Sequence, residues 1–278
     1  QAGNVENRGW EASLGYNNNI RGVGISSTLT FSRNRNEIKS MVKDFYSDVA
    51  KDVLNVPEVQ KDDGRVILKE GGSISDIYAN TFLKKDGQGF VEVKNGDFSV
   101  VPGESVYLGH TSPDCNLGWN NAFSYKGFNL SFLFSARFGG VVTSSTEAIL
   151  DRYGVSKASA EARDAGGYML PGQGLVNAEK YYKMVGTGGY ELSGYYVYSA
   201  TNFRLSELTF GYTFPNKWFG NILKDLTLTF IANNPWMIYC KAPFDPELTP
   251  STSTYGQGND YFMQPSVRSF AFSLKFKF

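Results

Sequence analysis

The sequence contains few of the residues from which catalytic and metal sites are usually built. Its 278 residues include two cysteines, Cys115 and Cys240, and a single histidine, His110. The cysteines are far apart and match no metal or redox spacing, so a disulfide between them is possible but not favoured. We interpret His110 as a loop residue. One histidine gives no basis for a Ser–His–Asp or Cys–His set, and the sequence predicts no catalytic residue, no metal site and no cofactor.

A net charge is also missing. Lys plus Arg amount to 27 residues and Asp plus Glu to 27. No stripe of basic residues with interleaved aromatics stands out, so no nucleic-acid partner is expected.

Long hydrophobic runs are absent as well. No stretch reaches the roughly 18 apolar residues of a membrane-spanning helix, and the first residues do not resemble a signal peptide. A transmembrane β-strand, however, needs only about 9–11 residues, half of them apolar. The mean hydropathy of −0.29 is therefore compatible with a barrel that has large polar loops. Hydropathy alone leaves the question of a membrane open.

Aromatic residues and glycine are abundant. Aromatics make up 15% of the chain, with 21 Phe and 17 Tyr, and there are 30 Gly. This composition favours many strands joined by Gly-rich turns over a helical bundle.

The end of the chain shows the clearest periodicity. Phe270, Phe272, Leu274, Phe276 and Phe278 occupy every second position, which predicts a strand with one fully apolar face. The same period of two recurs in six earlier segments, at residues 10–16, 23–31, 117–125, 128–138, 208–212 and 226–230. We therefore predict seven strands.

The connections between these strands alternate between short and long. Short ones are predicted at 17–19, 126–127 and 215–224, and long ones at 34–116, 139–197 and 241–264. Because successive antiparallel strands reverse direction, this order gives one rim of tight turns and one rim of large loops. That is the arrangement of an outer-membrane barrel with short periplasmic turns, and it places Phe278 at the periplasmic rim.

The long inserts have local patterns of their own. Residues 145–153 and 156–165 are polar and Ala-rich, which predicts two surface helices with Ser145 and Ser156 as N-caps. Additional strands or a small hairpin are expected in 65–69 and 90–101.

Some polar groupings have both a functional and a structural interpretation. Asp245 and Glu247 flank Pro246 and could act as an acid–base pair, but a rigid turn is the favoured interpretation. A charged group beside the predicted helices could line a substrate path or face a partner, although a solvated face or an internal salt bridge is favoured. It comprises Asp151, Arg152, Arg163 and Asp164. The glycine run at 186–189 lacks the strand and lysine of a phosphate loop.

The inserts also supply tyrosines of the kind that bind sugar rings. They are Tyr153, Tyr168, Tyr181, Tyr182, Tyr255 and Tyr261. Loop packing or a place at the membrane interface explains such tyrosines equally well, so no ligand-binding residue is assigned.

Several strings of the sequence carry a family resemblance. The longest is YVYSATNFRLSELTFGYTFP at 196–215; others are NVENRGWE at 4–11, LDRYGVSK at 150–157, ARDAGG at 162–167 and PFDPE at 243–247. Together with the terminal aromatic strand they resemble, in order and spacing, the SusC-like TonB-dependent transporters of Bacteroidetes, over nearly the whole chain. Asn234-Pro235-Trp236 departs from the family pattern. Because proline removes a ladder donor, we predict a strand end or β-bulge there.

The resemblance implies an all-β fold, an antiparallel up-and-down transmembrane β-barrel of about 22 strands with long extracellular loops that carry short helices. Residues 1–278 would form its C-terminal third or so, and the plug domain and N-terminal strands would be absent from this chain. The implied function is active import of a nutrient across the cell outer membrane, an oligosaccharide more often than a peptide, by a protein that is not an enzyme. The implied partners are a SusD-like surface lipoprotein, TonB through the missing N-terminal region, the remaining strands of the barrel, and outer-membrane lipid.

The terminal aromatic residues have a specific role in this family. Phe270, Phe272, Phe276 and Phe278 resemble the signal by which the outer-membrane assembly machinery recognises barrels; otherwise they are the last strand of an ordinary sheet. A soluble β-sandwich, such as a carbohydrate-binding or adhesin module, is the alternative fold, because its strands also alternate. A sandwich would bury these phenylalanines between two facing sheets.

Overall fold

The computed structural model describes residues 3–41, 58–60, 67–79, 93–94, 97–98, 106–186, 193–219, 224–248 and 258–277. In chain order the strands are β1 (Gly3–Ile20), β2 (Val23–Met41), β3 (Glu58–Gln60), β4 (Ile67–Lys69), β5 (Asp76–Ala79), β6 (Val93–Lys94), β7 (Asp97–Phe98), β8 (Val106–His110), β9 (Cys115–Tyr125), β10 (Phe128–Phe138), β11 (Val141–Ser144), β12 (Tyr168–Leu170), β13 (Gly174–Val176), β14 (Val197–Ser199), β15 (Asn202–Thr213), β16 (Lys224–Cys240), β17 (Asn259–Asp260) and β18 (Ser269–Lys277). The helices are α1 (Ser145–Arg152), α2 (Lys157–Asp164) and α3 (Ala178–Val185), with two short 3₁₀ helices at Ser193–Tyr196 and Asn216–Trp218. In these ranges no helix combines the length and the apolar character that crossing a membrane requires.

One seven-stranded antiparallel sheet, called the wall from here on, dominates the fold. Its order, β1-β2-β9-β10-β15-β16-β18, follows the chain, so each strand pairs with the next wall strand. The predicted number of strands is confirmed. β1 and β18 each pair on one side only within the described residues. The wall is therefore an up-and-down meander with two edges.

The wall strands are longer than their alternating segments. β1 and β2 have 18 and 19 residues and stay paired as far as Gly3 and Met41. Beyond Phe31 the apolar positions give way to charged ones such as Arg33 and Arg35, although the backbone pairing continues. Periodicity thus detected the apolar part of each strand and missed the polar extension.

Tight turns join the wall strands at one end, called the turn rim. In the two-residue turns both central residues have positive φ, at Arg21 (52°) and Gly22 (84°) and at Lys126 (46°) and Gly127 (90°). These values suit hairpin turns whose twist matches that of the strands. The turn predicted at 17–19 was wrong by a few residues, because β1 continues through Ile20; the turn at 126–127 is confirmed.

Three long inserts leave from the opposite end, called the loop rim. They occupy 42–114, 139–201 and 241–268, close to the predicted bounds. β18 runs back to the turn rim, where Lys277 pairs with Lys224. The predicted asymmetry of the two rims is confirmed, while Phe278 lies outside the described residues.

The described parts of the inserts, called the loop layer, are tied to one another. β11 pairs antiparallel with β14 and parallel with β17, which joins the second and third inserts. The first insert joins through Gly109 (φ 136°), where a Cβ would lie 2.8 Å from Val141 Cγ1. The additional strands expected at 65–69 and 90–101 are present as β4 and the β6–β7 hairpin.

The helices largely follow the sequence prediction. Ser156 caps α2 as expected, with its Oγ accepting the N–H of Ser159 at 3.0 Å. The cap of α1 is Ser144 and not Ser145, since Ser144 Oγ accepts the N–H of Glu147 at 3.0 Å. α3, capped by Asn177, was not predicted.

A β-bulge lies where proline interrupts β16. Leu205 pairs with Trp236 and Glu207 with Asn233, so Asn234 and Pro235 together face a single residue of β15. Asn234 adopts a φ of 48°. The predicted bulge is confirmed, and β16 continues beyond it to Cys240.

Candidate functional site on the polar face and at the loop rim

The two faces of the wall differ in polarity. One cross-strand row contains Leu14, Leu29, Trp119, Phe134, Leu205 and Trp236. On this apolar face Leu14 is 73% exposed and Trp236 59%, and Phe272 on β18 is 74% exposed. Such exposure would be costly in water and natural in hydrocarbon. The 11 residues of β9 and of β10 match the roughly 9–11 residues that a tilted strand needs to cross a bilayer.

The opposite, polar face carries hydroxyl ladders. Ser131 pairs with Thr209 and Ser135 with Ser206 through their side-chain oxygens. Thr213 Oγ1 lies 3.0 Å from Thr227 Oγ1. This face can therefore border an aqueous interior.

A small polar group lies within the apolar face. Trp119 Nε1 donates to Ser27 Oγ at 3.1 Å, and Ser27 Oγ donates to Asn121 Oδ1 at 2.8 Å. Asn121 is only 2% exposed, and its Nδ2 has no partner within the described residues. Trp119 and Phe132 lie edge to face at 6.2 Å. The three polar side chains thus satisfy most of their hydrogen bonds locally, as hydrocarbon requires.

The loop layer has its own hydrophobic core. Tyr181, Tyr182, Val185 and Leu170 are buried there. Tyr168 stacks on Tyr181 with ring centroids 3.8 Å apart. Unlike the apolar face, this region buries a cluster of aromatic residues as a water-soluble domain does.

Asp151 on α1 links the start of α2 to the 3₁₀ helix at Ser193–Tyr196. Its carboxylate accepts hydrogen bonds from Tyr196 Oη at 2.9 Å and from Ser156 Oγ. Burial, followed by the charge of Asp151, raises the pKa of Tyr196. Burial, followed by Glu147 and Asp151, raises the pKa of Tyr198 to about 12. Both hydroxyls stay protonated, and that of Tyr196 donates to Asp151, so the arrangement is structural.

An ion pair fastens the third insert to the wall. Arg204 on β15 donates to Asp245 through Nη2 at 2.7 Å and Nη1 at 2.9 Å, and both side chains are more than nine-tenths buried. Burial alone would raise the pKa of Asp245, but the Arg204 guanidinium and the Glu247 N–H lower it overall. Glu247 Oε1 lies 3.4 Å from Arg204 Nη2. The carboxylates at 245 and 247 therefore share one arginine, which fits the structural interpretation better than acid–base chemistry.

A polar cavity of about 610 Å³ opens at the loop rim between β2 and the first insert. On the edge of β2 that faces away from β1, the pairing with β9 ends at Ser32. The next backbone hydrogen bond on this edge is at Ile38, whose N–H donates to Gly72 O at 2.9 Å. The cavity occupies the gap between these points. Its lining includes Arg33, Arg35, Asp76, Tyr107, His110 and Asp114. Burial raises the pKa of Asp76, although its carboxylate accepts the N–H of Ser73 at 2.8 Å.

The structure places the candidate residues from the sequence in separate environments. Arg163 pairs with Asp164 on an exposed surface, Arg152 is exposed, and Asp151 is buried apart from them, so the four charges do not form one site. His110 ends β8 instead of lying in a loop, with Nδ1 2.6 Å from Ser112 O. Cys115 and Cys240 are free.

The tyrosines of the inserts separate into two groups. Tyr168, Tyr181 and Tyr182 belong to the loop-layer core, whereas Tyr153 and Tyr261 are exposed. Tyr255 and residues 187–189 of the glycine run lie outside the described residues. Among the residues described, no group of three or more His, Cys, Asp or Glu could hold a metal ion.

Comparison with known proteins explains the two faces. No family model matches the chain. TonB-dependent receptors P3 and P39 of Formosa agariphila are each 24% identical over 99% of this chain, which covers 29% and 30% of their lengths. The solved structure of the RagAB peptide importer in its open-open state has a TM-score of 0.67 at 16% identity, covering 99% of this chain and 29% of that one. The RagAB peptide transporter gives 0.59 at 14% identity, covering 94% and 27%.

The resemblance to SusC-like TonB-dependent transporters is confirmed. The chain spans less than a third of the length of these relatives. The wall has the fold of a section of an outer-membrane β-barrel, and its exposed apolar face suits contact with lipid. The orientation of the rims, with the turn rim toward the periplasm, stays a prediction. The sandwich alternative is wrong, because no described sheet covers the apolar face and the terminal phenylalanines, Phe270, Phe272 and Phe276, stay exposed.

Sequence reasoning missed the Arg204–Asp245 pair and the arginines of the cavity. A signal for the first was present, since Arg204 is the one cation among the hydroxyl and apolar residues of β15. Its partner lies 41 residues away, and no local pattern identifies such a partner.

Proposed function

We propose that this chain contributes part of the barrel of an outer-membrane importer that takes up a nutrient. The observation that carries the proposal is the combination of an exposed apolar face, a polar face lined by hydroxyls, and a loop layer gathered at one rim only. A solute path along the polar face beneath extracellular loops is the use to which such a wall is suited. The names of the relatives, which are receptors and transporters, support import over catalysis.

The two edges of the wall support the existence of further strands. Unpaired backbone groups in hydrocarbon cost several kcal/mol each, so β1 and β18 need neighbours in the membrane. In our proposal the complete protein supplies them, together with a plug and the segment that contacts TonB. A SusD-like lipoprotein would cover the loop rim.

The cargo we favour is an oligosaccharide, with a peptide second. Exposed aromatic rings in the loop layer, Tyr153 at 72% and Tyr261 at 57%, suit sugar faces. The solved RagAB structures are described as those of a peptide importer, which keeps the peptide candidate in place.

For the terminal strand we propose a role in barrel assembly. Phe270, Phe272 and Phe276 are exposed on the apolar face of β18. Replacing these three residues by serine in the complete receptor should leave the protein in the periplasm or degraded, whereas serine at the polar-face positions Ala271 and Lys275 should not. Normal insertion of the first variant would contradict this role.

The test of import uses a strain that carries the complete receptor. Deleting the receptor should abolish growth on one class of oligosaccharide, and deleting TonB should do the same. Growth of the same strains with peptide as the limiting nutrient tests the second candidate cargo. Growth unaffected by either deletion, or a receptor recovered soluble without detergent, would overturn the proposal.

A further inference from the structure

Two arginines lie just beyond the last aromatic residues of the apolar face at the loop rim. Trp10 stacks on Phe31 with ring centroids 4.6 Å apart. Arg33 is the cross-strand partner of Trp10, and Arg35 is the partner of Arg8. Because alternate residues of a strand share a face, these arginines lie on the lipid side of the wall. Because they follow the last aromatic residues of the apolar face, they would lie near the level of the lipid headgroups in a membrane.

The neighbouring carboxylates on this face already have cationic partners. Glu6 contacts Arg8, and Lys39 Nζ lies 2.7 Å from Glu37 and 3.4 Å from Glu6. Arg33 and Arg35 are exposed and form no ion pair within 4 Å in the part of the chain that the structure describes. The end of this hairpin therefore presents two arginines without a direct ion-pair partner among the described residues.

The cavity of about 610 Å³ lies beside these arginines. Its size falls in the range of about 300–1,000 Å³ typical of small-ligand sites. Tyr107, which is 51% exposed, offers an aromatic face, while the carboxylates of Asp76 and Asp114 can accept hydrogen bonds from sugar hydroxyls. The carboxylates of Glu70, Asp76 and Asp114 oppose an anion within the cavity itself, and Arg35 is close enough to Asp76 to lower the pKa of its carboxyl.

The apolar face continues from the two arginines toward the turn rim and offers a surface for acyl chains. Leu14 and Leu29 form a cross-strand pair on the apolar face and are 73% and 44% exposed. A ligand that spans arginines, sugar-binding groups and this apolar surface must itself contain phosphate, sugar and hydrocarbon.

We infer that the loop-rim end of β2 binds a phosphorylated glycolipid of the outer leaflet. Arg33 and Arg35 hold its phosphate, because guanidinium matches phosphate geometry with two parallel N–H donors. The cavity takes part of its sugar headgroup, and its acyl chains lie against the apolar face. The inference depends on the outer-membrane location and is independent of the cargo.

The experiment measures binding of purified lipopolysaccharide to the complete receptor in detergent. Arg33→Gln with Arg35→Gln should weaken binding about tenfold or more, since each variant removes charge-assisted hydrogen bonds. Phosphatase-treated lipopolysaccharide should bind the unmodified receptor with a similar loss. Rising salt should weaken binding to the unmodified receptor more than to the variant.

The control is Arg152→Gln with Arg163→Gln, two exposed arginines in the loop layer away from the wall. It should bind like the unmodified receptor. Arg33→Lys with Arg35→Lys keeps the charge but loses the paired N–H donors, so it should lose less binding than the glutamine variant, which separates loss of a phosphate site from misfolding. Equal binding by the glutamine variant, equal loss in the control, or indifference to dephosphorylation would each overturn the inference, as would a protein partner that occupies this surface in membranes.

Discussion

The wall and the loop layer differ in the exposure of their aromatic residues. On the wall, Phe272 and Phe270 are 74% and 63% exposed, whereas in the loop layer Tyr181 and Tyr182 are 6% and 8% exposed. The wall has no core of its own because lipid takes that place, and its strands are held by backbone ladders. The loop layer lies in water and must bury its rings against one another. The same residue type therefore stabilises the two regions through different surroundings.

The largest effect is expected where the two regions are joined. Arg204→Ala should lower the free energy of unfolding by about 3–5 kcal/mol, because it leaves the buried Asp245 carboxylate unpaired. The measurement is urea unfolding of the complete receptor in liposomes. Adding Asp245→Ala to the first change should recover part of the loss. A double variant as unstable as the sum of the single variants would show that the pair is not coupled.

The same pair predicts a pH dependence. The pKa of Asp245 is lowered from 3.8 in the folded protein, after burial is outweighed by Arg204. A depressed carboxyl pKa contributes stability above its unfolded value, and that stability disappears as the pH falls through the folded pKa. Protease resistance of the third insert should thus persist at pH 5 and be lost only below about 3.8. Loss already near pH 5 would contradict this assignment.

A change in the loop-layer core should be the next largest. Tyr181→Ala should cost about 3 kcal/mol, since it removes a buried ring that stacks on Tyr168. Because the wall does not depend on this core, limited proteolysis should cut the inserts while the barrel keeps its resistance to detergent. Tyr153→Ala, at an exposed position, is the matched control and should change little.

A charge on the lipid side should have a somewhat smaller effect. Leu208 pairs with Phe132 near the middle of the apolar band. Leu208→Arg should cost about 2–3 kcal/mol in bilayers, as arginine does near the midplane of a barrel. Thr209→Arg places the same charge on the polar face and should cost well under half as much. An equal loss of stability in the two variants would contradict the assignment of one face to lipid and the other to the aqueous interior.

The smallest effect is expected at the turn rim. Gly127→Ala places a Cβ 2.6 Å from Thr213 O at a φ of 90° and should cost about 1–2 kcal/mol. Gly22→Ala meets nothing within 4 Å and should show only the cost of its positive φ of 84°. Thermal unfolding that ranks the two variants in the reverse order would contradict the steric argument.

The sequence by itself determined the features that depend on local geometry. Alternation at every second residue identified the seven wall strands, and the alternation of short and long connections identified the two rims. Pro235 predicted the bulge in β16. Each follows from the pleat of a strand or from the restricted backbone of proline, so no distant residue was needed.

The tertiary structure alone decided the rest. Asp245 reaches Arg204 from 41 residues away, and Asp260 meets Ser144 across 116 residues. The length of β2 beyond Phe31 depends on its pairing with β1 and not on its own pattern. The cavity exists because β9 ends before β2 does. Contacts between distant segments form only when the backbone brings them together, and no periodicity in the sequence records which charges will then be neighbours.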